Sequence, residues 1–83
     1  MSANMRRLAD LPISERCRVV SLISQGSDRR RMLDLGIVPG TEIEAVLSSP
    51  TGGVTAYLIR GVLIAIRYED AINILIETEL SFD

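Results

Sequence analysis

The stretch RRRMLDLGIVPGTEIEAV, residues 29–46, joins a short helix to a β-strand through two turn signals. Ser27 is predicted to be the N-cap of the helix, because its hydroxyl can accept a hydrogen bond from a backbone N–H of the first turn, where Asp28 follows. The helix is predicted to end at Leu35, and Gly36 supplies the positive φ that closes many helices. One short helix followed at once by a tight turn is expected.

The four residues Val38-Pro39-Gly40-Thr41 have the pattern of a type II turn. Proline presets the second position of such a turn, and glycine accepts positive φ at the third. A strand is predicted to follow, with side chains that alternate between two faces. Its inward residues are predicted to be Ile43, Ala45 and Leu47. Its water-facing residues are predicted to be Glu42 and Glu44.

The helix carries three consecutive arginines close to its N-terminus, where positive charge is mildly unfavourable. The apolar residues predicted to form its buried stripe are Met32, Leu33 and Leu35. Arg29 lies at the edge of that stripe. Arg30 and Arg31 point away from it on either side of Asp34, which is spaced to pair with both. Local pairing explains part of this arrangement, and a docking role is the hypothesis for the remainder.

Four more segments show strand patterns, over residues 16–23, 54–60, 62–67 and 73–79. The first of them is predicted to place four residues on one face, Cys17, Val19, Ser21 and Ile23. A short apolar turn at residues 8–11 is expected to plug one end of the structure, and residues 68–72 are expected to form a helical turn. The pattern predicts a mainly β fold, a small barrel of about five strands with one short helix between the first two.

Composition limits the function classes open to a chain of 83 residues. The chain is predicted to form a single domain over residues 1–83, with residues 1–7 flexible. Nine arginines, no lysine, a net charge of −2 and few aromatics disfavour nucleic-acid binding. Histidine is absent and Cys17 is the one cysteine, so a usual zinc site and a nucleophile–base pair are both disfavoured. The N-terminus lacks a signal-peptide pattern, and no apolar run approaches the ~20 residues of a membrane helix, so a soluble cytoplasmic protein is expected.

Three segments together resemble the ferrous iron transport protein A (FeoA) family. They are MLDLGIVPG at residues 32–40 with the arginines before it, the loop SPTGG at residues 49–53, and RGVLIAIRYEDAINILI at residues 60–76. In the loop region, Thr51, Gly53 and Val54 stand where the family more often has leucine, aspartate and proline. The resemblance implies an SH3-like barrel and a cytoplasmic accessory of the bacterial ferrous iron permease FeoB, whose soluble part is a GTPase.

The candidate docking surface for that permease consists of Arg29, Arg30, Arg31 and Asp34. The plain alternative is a solvated helix face on which the aliphatic stem of Arg29 packs against the barrel. A sharper hypothesis has one arginine act on the partner's nucleotide as an arginine finger, although nothing in the spacing specifies it. Three residues are predicted to form turns and also to shape a groove between the helix and the first turn: Gly36, Pro39 and Gly40.

The acidic pairs Glu42 with Glu44 and Glu69 with Asp70 are more typical of solvated charge than of a metal cage. Cys17 is predicted to be a small strand residue. We therefore expect no catalytic residue, no cofactor and no tight Fe²⁺ site in the monomer. The favoured function is a non-catalytic module that docks on FeoB. The alternative is a regulatory or sensor SH3-like domain that binds a peptide or a metal, as in iron-dependent repressors. A homo-oligomer stays open, because small cores gain from a shared contact.

Overall fold

A computed structural model describes residues 5–78 of the chain. Its strands are β1 (Met5–Arg7), β2 (Arg16–Leu22), β3 (Glu42–Ser48), β4 (Val54–Ile59), β5 (Val62–Arg67) and β6 (Ile74–Thr78). Its helices are α1 (Gly26–Asp34), α2 (Tyr68–Ala71) and one turn of 3-10 helix (Leu8–Asp10). The described chain is mainly β, which confirms the predicted fold class.

The six strands form one antiparallel sheet in the order β1-β6-β2-β3-β4-β5. The strand that the sequence did not predict is β1, in which Met5 lies opposite Glu77 and Arg7 lies opposite Leu75. Part of the segment predicted to be flexible is thus paired, and residues 1–4 lie outside the described residues. Three residues are too few to show a periodic pattern, which is why β1 was missed.

Two β-bulges change which side chains face the core. In β2 the register shifts after Val19, and Leu22 packs against the core whereas Ile23 is exposed. In β3 the register shifts after Ala45, and Leu47 is exposed. An extra residue on one strand moves the side chains after it to the opposite face. The prediction that Ile23 shares a strand face with the buried Cys17 and Val19 was therefore wrong, and so was the prediction that Leu47 points inward.

The core is formed by apolar side chains from the sheet, both helices and the 3-10 turn. The buried apolar residues are Leu8, Leu11, Cys17, Val19, Met32, Ile37, Ile43, Ala45, Tyr57, Ile59, Ile66, Ala71, Ile74 and Ile76. The burial of Leu8 and Leu11 agrees with the predicted apolar plug. The hydroxyl of Tyr57 donates a hydrogen bond to the carbonyl oxygen of Leu8 (3.4 Å), and burial raises the pKa of this phenol.

Helix α1 begins differently from the prediction and ends as predicted. Gln25 is its N-cap and contributes no side-chain cap bond, so the assignment of Ser27, which lies inside the helix, was wrong. At the C-terminus, Gly36 has a φ of +91°. The N–H of Gly36 bonds the third carbonyl before it, and the N–H of Ile37 bonds the carbonyl of Met32 (3.1 Å). These two bonds form a Schellman motif, which satisfies the last carbonyls of the helix.

A two-residue turn connects β4 to β5, with Ile59 opposite Val62. Arg60 and Gly61 have φ values of +54° and +82°. Positive φ at both central residues is the requirement of a type I′ turn, which matches the twist of the strands on either side. The predicted pairing of these strands around Gly61 is confirmed, and it places the side chain of Arg60 next to the end of α1.

Candidate docking surfaces

The three consecutive arginines of α1 have three different surroundings. Arg29 donates from Nη1 to the carbonyl oxygen of Leu22 (3.3 Å), which ties the start of the helix to the end of β2. Arg31 points toward α2 and is engaged there. Arg30 forms no hydrogen bond or ion pair within the described chain. The three arginines are consecutive in the sequence, but they differ in the structure. Arg29 and Arg31 bond other parts of the fold, and Arg30 is open to solvent.

Arg31 belongs to an ion-pair cluster at the junction of three elements. Its Nη2 lies 3.2 Å from Oδ2 of Asp70, and Nε of Arg67 lies 3.4 Å from the same oxygen. The side chain of Asp70 is only 14% exposed, whereas both guanidiniums are about half exposed. We call Arg31, Asp70 and Arg67 the Asp70 cluster. Because it links α1, α2 and the end of β5, it fixes the position of the helix relative to the sheet edge.

The predicted pairing of Asp34 with Arg30 and Arg31 does not occur among residues 5–78. Arg31 contacts Asp28 instead (3.8 Å), in addition to Asp70. A basic residue that precedes an acidic one by a helical turn is the weaker order for such a pair. A mostly buried carboxylate on a neighbouring element, such as Asp70, is a stronger partner, since fewer water molecules compete for it.

The first candidate surface is the outer face of α1, which we define as Arg30, Leu33 and Asp34. These residues line a shallow depression of about 370 Å³ together with Gly26 and Arg29. Leu33 is 37% exposed, so the prediction that it belongs to the buried stripe was wrong. Met32, by contrast, is 3% exposed and lies in the core. The outer face therefore combines one apolar side chain with two opposite charges that have no partner in the described chain.

The second candidate surface is a groove of about 440 Å³ between α1 and β5. Its lining consists of Arg31, Met32, Leu35, Ile64, Ala65, Ile66, Arg67 and Asp70. The floor is aliphatic, and the charged residues of the Asp70 cluster stand at one end. Sequence reasoning missed this groove because its two walls lie about thirty residues apart in the chain.

The turn residues predicted to shape a groove are engaged in backbone structure. Gly40 has a φ of +93°, and the N–H of Thr41 bonds the carbonyl of Val38 (3.0 Å), which agrees with the predicted type II turn around Pro39. The hydroxyl of Thr41 donates to the carbonyl oxygen of Gly36 (3.1 Å) and so joins this turn to the helix end. A role of Gly36, Pro39 and Gly40 in shaping a partner groove stays a prediction.

The side chain of Arg60 lies close to Gly36 and is a second reason why glycine suits this position. A Cβ placed on this residue would lie 3.3 Å from Cδ of Arg60. The side chain of Arg60 therefore occupies the space that any larger residue at position 36 would enter. By contrast, no atom lies within 4 Å of a Cβ placed on Gly40.

The acidic pairs of the sequence lie next to arginines. Glu42 is 3.0 Å from Arg18 and Glu44 is 4.0 Å from Arg16, in both cases across the β2–β3 ladder. Cys17 is buried between these positions. Within residues 5–78, no three histidine, cysteine or carboxylate side chains come together as a metal-binding group. In the same part of the chain, no helix has the length and apolar character needed to cross a membrane.

Comparisons with known proteins agree with this architecture. The FeoA domain model matches residues 6–78. The FeoA-like protein of Clostridium acetobutylicum is 30% identical, with a TM-score of 0.87, over 98% of this chain and 94% of that one. The FeoA of Stenotrophomonas maltophilia, solved with zinc and described as an SH3 domain protein, is 25% identical over 86% of this chain and 88% of its own, with a TM-score of 0.75. The predicted SH3-like fold is confirmed.

A likeness to a repressor concerns the fold alone. The IdeR of T. acidophilum is 19% identical, with a TM-score of 0.80, over 95% of this chain and 36% of that one. The match covers about a third of the repressor, so the shared part is a barrel of this size within a longer protein. No curated protein sequence matched the chain.

Proposed function

The chain belongs to the FeoA domain family, and from that premise we propose that it is a non-catalytic accessory of ferrous iron uptake. In this proposal it docks on the cytoplasmic GTPase part of the FeoB permease and modulates it. The relative from Stenotrophomonas maltophilia has been suggested to act as a bacterial ferrous iron transport activating factor. That description supports an accessory role for a small SH3-like barrel.

The observation that carries the docking part of the proposal is the outer face of α1. Arg30 and Asp34 are charged and have no partner within the described chain, and Leu33 between them is exposed. A folded protein gains little from such an arrangement, because exposed charges contribute at most about 1 kcal/mol each even when they are paired. On a docking surface the same arrangement is useful, since an apolar contact flanked by two opposite charges fixes the orientation of a partner.

The chemistry of this face indicates what it can bind. Arg30 can form a bidentate contact to a carboxylate of the partner. Asp34, four residues further along the helix, can accept hydrogen bonds from a cation of the partner. The partner surface is therefore expected to present an acidic and a basic group on either side of an apolar residue. A surface of this kind sets the rate and specificity of association more than it sets affinity.

The test is calorimetric titration of the chain with the purified GTPase part of the permease. We expect Arg30→Glu to weaken binding by about tenfold or more, because charge reversal places two carboxylates against each other. Arg31 is a poor choice for this test, since its loss would also break the Asp70 cluster.

The matched control is Arg16→Glu, a reversal of another exposed arginine, which lies in β2 and not on α1. Unchanged binding of this variant beside weakened binding of Arg30→Glu would support the outer face of α1. Equal weakening by both variants would indicate a general charge effect and contradict the proposed face. A wild-type chain that does not bind the GTPase part would overturn docking itself, and GTP hydrolysis measured in the same mixture shows whether docking modulates the enzyme.

A further inference from the structure

Helix α1 has few contacts with the rest of the fold. Of its nine residues only Met32 is buried, and Leu35, which follows the helix, packs partly against the core. Within residues 5–78, no backbone hydrogen bond connects residues 24–35 to a strand, whereas the strands are joined to one another by ladders of such bonds. Segments with few buried apolar contacts can open while the remainder of a protein stays folded.

The helix also has little stability of its own. Nine residues are fewer than the ~12–15 at which an isolated helix becomes marginal in water. Its N-cap, Gln25, contributes no side-chain bond, and the arginines at residues 29–31 lie close to the positive end of the helix dipole. We therefore expect α1 to be helical only while it is attached to the barrel, and to unfold when it detaches.

The chain is held firmly on both sides of this segment. Just before it, the N–H of Ile23 donates a hydrogen bond to the carbonyl oxygen of Asn73 (2.7 Å). Just after it, Ile37 is fully buried. We call residues 24–35 the lid. Because both of its ends are fixed, the lid can leave the sheet without changing the path of the chain on either side.

One ion pair holds the lid across the groove between α1 and β5. Besides the bond that Arg29 forms near the first end of the lid, Arg31 lies 3.2 Å from Asp70. Each of these two charges keeps a partner when the pair separates, since Asp28 of the lid lies 3.8 Å from Arg31 and Arg67 of β5 lies 3.4 Å from Asp70. Separation of a mostly buried pair is costly where it leaves a charge unpaired, and here it leaves none.

The closed lid forms one wall of that groove. Arg31, Met32 and Leu35 stand on this wall, and Ile64 and Ile66 of β5 lie on the other. Opening would withdraw Met32 from the core, so the closed state dominates. The rare open state would present the apolar side chains of β5 that the lid covers.

We propose that the lid opens as a unit while the six strands stay paired, and that the ion pair of Arg31 with Asp70 is its latch. Opening controls access to the apolar wall formed by Ile64 and Ile66. The latch responds to ionic strength, because the side chain of Arg31 is 47% exposed and salt screens such a charge. This device is a property of the free chain and does not depend on the proposed function.

Hydrogen exchange of backbone amides in the free chain tests the lid. The N–H of Leu35 bonds the carbonyl of Arg31 within the lid, and the N–H of Ala45 bonds the carbonyl of Glu15 outside it (3.1 Å each). After division by the intrinsic rates, we expect the Leu35 amide to exchange at least ~10-fold faster, because local opening is more frequent than global unfolding. Low concentrations of urea should accelerate the Ala45 amide more, since global unfolding exposes more surface.

Tyr57→Phe separates lid opening from global unfolding. The hydroxyl of Tyr57 bonds the carbonyl oxygen of Leu8, and both residues lie outside the lid. The bond is present whether the lid is closed or open, so its loss should accelerate the Ala45 amide by about fivefold and leave the Leu35 amide at the wild-type rate. Equal acceleration at both amides would show that α1 opens only with the whole fold and would overturn the proposal.

Two variants test the latch from its two sides, which keeps it testable if one of them does not fold. Asp70→Asn and Arg31→Gln each remove the ion pair, and we expect each to accelerate the Leu35 amide by about fivefold. High salt should accelerate this amide more in the wild-type chain than in either variant. The matched control is Asp34→Asn, on the same helix and without a partner in the described chain, which should change the rate by less than about twofold.

The results distinguish the lid from its latch. A Leu35 amide as protected as the Ala45 amide would contradict the lid. Local exchange at Leu35 that neither Asp70→Asn nor Arg31→Gln accelerates would contradict the latch. None of these measurements uses the permease, so failure of the proposed function would leave this inference unaffected.

Discussion

Arg31 and Asp70 form an ion pair at 3.2 Å although 39 residues separate them in the chain. The same oxygen of Asp70 accepts a hydrogen bond from Arg67, three residues before it. One carboxylate thus holds the middle of α1, the end of β5 and the start of α2 together. All three residues of this cluster line the groove between α1 and β5.

Asp70→Asn tests how much that carboxylate contributes to the free energy of unfolding. The amide keeps the shape of the side chain but removes the charge that two guanidiniums share. Asp70 is mostly buried, so its ion pairs are less screened than pairs between fully exposed side chains. We expect a loss of about 1 kcal/mol in the free energy of unfolding, or roughly 4–8 °C in melting temperature for a chain of this size.

Asp34→Asn is the matched control for this substitution. Asp34 lies on α1 and has no partner within the described chain, so its neutralisation should change stability by less than about 0.5 kcal/mol. High salt should reduce the difference between the two variants only partly, because the Asp70 oxygen is shielded from water. Equal melting temperatures for both variants would contradict the role assigned to the Asp70 cluster.

Gly36→Ala and Gly40→Ala separate backbone strain from a steric contact. Both glycines have φ near +90°, a region that costs a residue with a Cβ about 1–2 kcal/mol. Gly36 alone also faces Arg60, whose Cδ would lie 3.3 Å from the new Cβ. We expect both variants to melt earlier than the wild type, with the larger loss for Gly36→Ala. Thermal unfolding followed by circular dichroism gives the comparison.

The steric part can be isolated with Arg60→Ala. In that background, Gly36→Ala should cost about as much as Gly40→Ala, since the side chain that crowded position 36 is gone. The cost of Gly40→Ala should be the same with and without Arg60. A cost of Gly36→Ala that does not depend on Arg60 would contradict the contact.

Met32→Ala and Leu33→Ala test which face of α1 is buried. Met32 lies in the core, so its truncation leaves a cavity and should cost about 2–5 kcal/mol. Leu33 is partly exposed on the outer face, and its truncation should cost less than about 1 kcal/mol. Chemical denaturation measures both. Similar losses for the two variants would favour the stripe predicted from helical periodicity over the observed orientation.

The features that the sequence predicted correctly depend on neighbouring residues. Local φ requirements predict three of them, which are the helix end at Gly36, the turn at Pro39 and Gly40, and the hairpin at Gly61. Glycine adopts positive φ without steric cost, and proline fixes φ at the second position of a turn. The alternation of buried and exposed residues at the start of β3 follows from the two-residue period of a strand. These local rules were sufficient to predict the fold class and the order of the elements that follow β1.

The features that it missed depend on contacts between distant segments. The bulges in β2 and β3 are seen only in the pairing of each strand with its neighbour, and no residue near Val19 or Ala45 signals them. Arg31 was assigned to Asp34 because helical spacing shows only near neighbours, whereas its partner Asp70 lies on another element. The free edge of β5 appears only when the order of the strands is known.

Tyr57 predicts how stability depends on pH. Its side chain is 2% exposed, its hydroxyl bonds the carbonyl oxygen of Leu8, and burial raises the pKa of the phenol from its ordinary value of 10.0. The folded chain therefore holds this proton to higher pH than the unfolded chain does. Below pH 10 the stabilisation is complete, and it is lost as pH rises from 10 through the pKa of the folded state.

Tyr57→Phe should abolish this alkaline decline in stability while lowering stability at neutral pH by about 1 kcal/mol, since one buried hydrogen bond is lost. Urea unfolding at a series of pH values from 7 to 11 (chosen on either side of the ordinary phenol value) measures both effects. The difference in phenolate absorbance between the folded wild-type chain and folded Tyr57→Phe gives the titration of Tyr57. A wild-type chain whose stability falls above pH 10 no more steeply than that of Tyr57→Phe would show that this phenol titrates as it does in water.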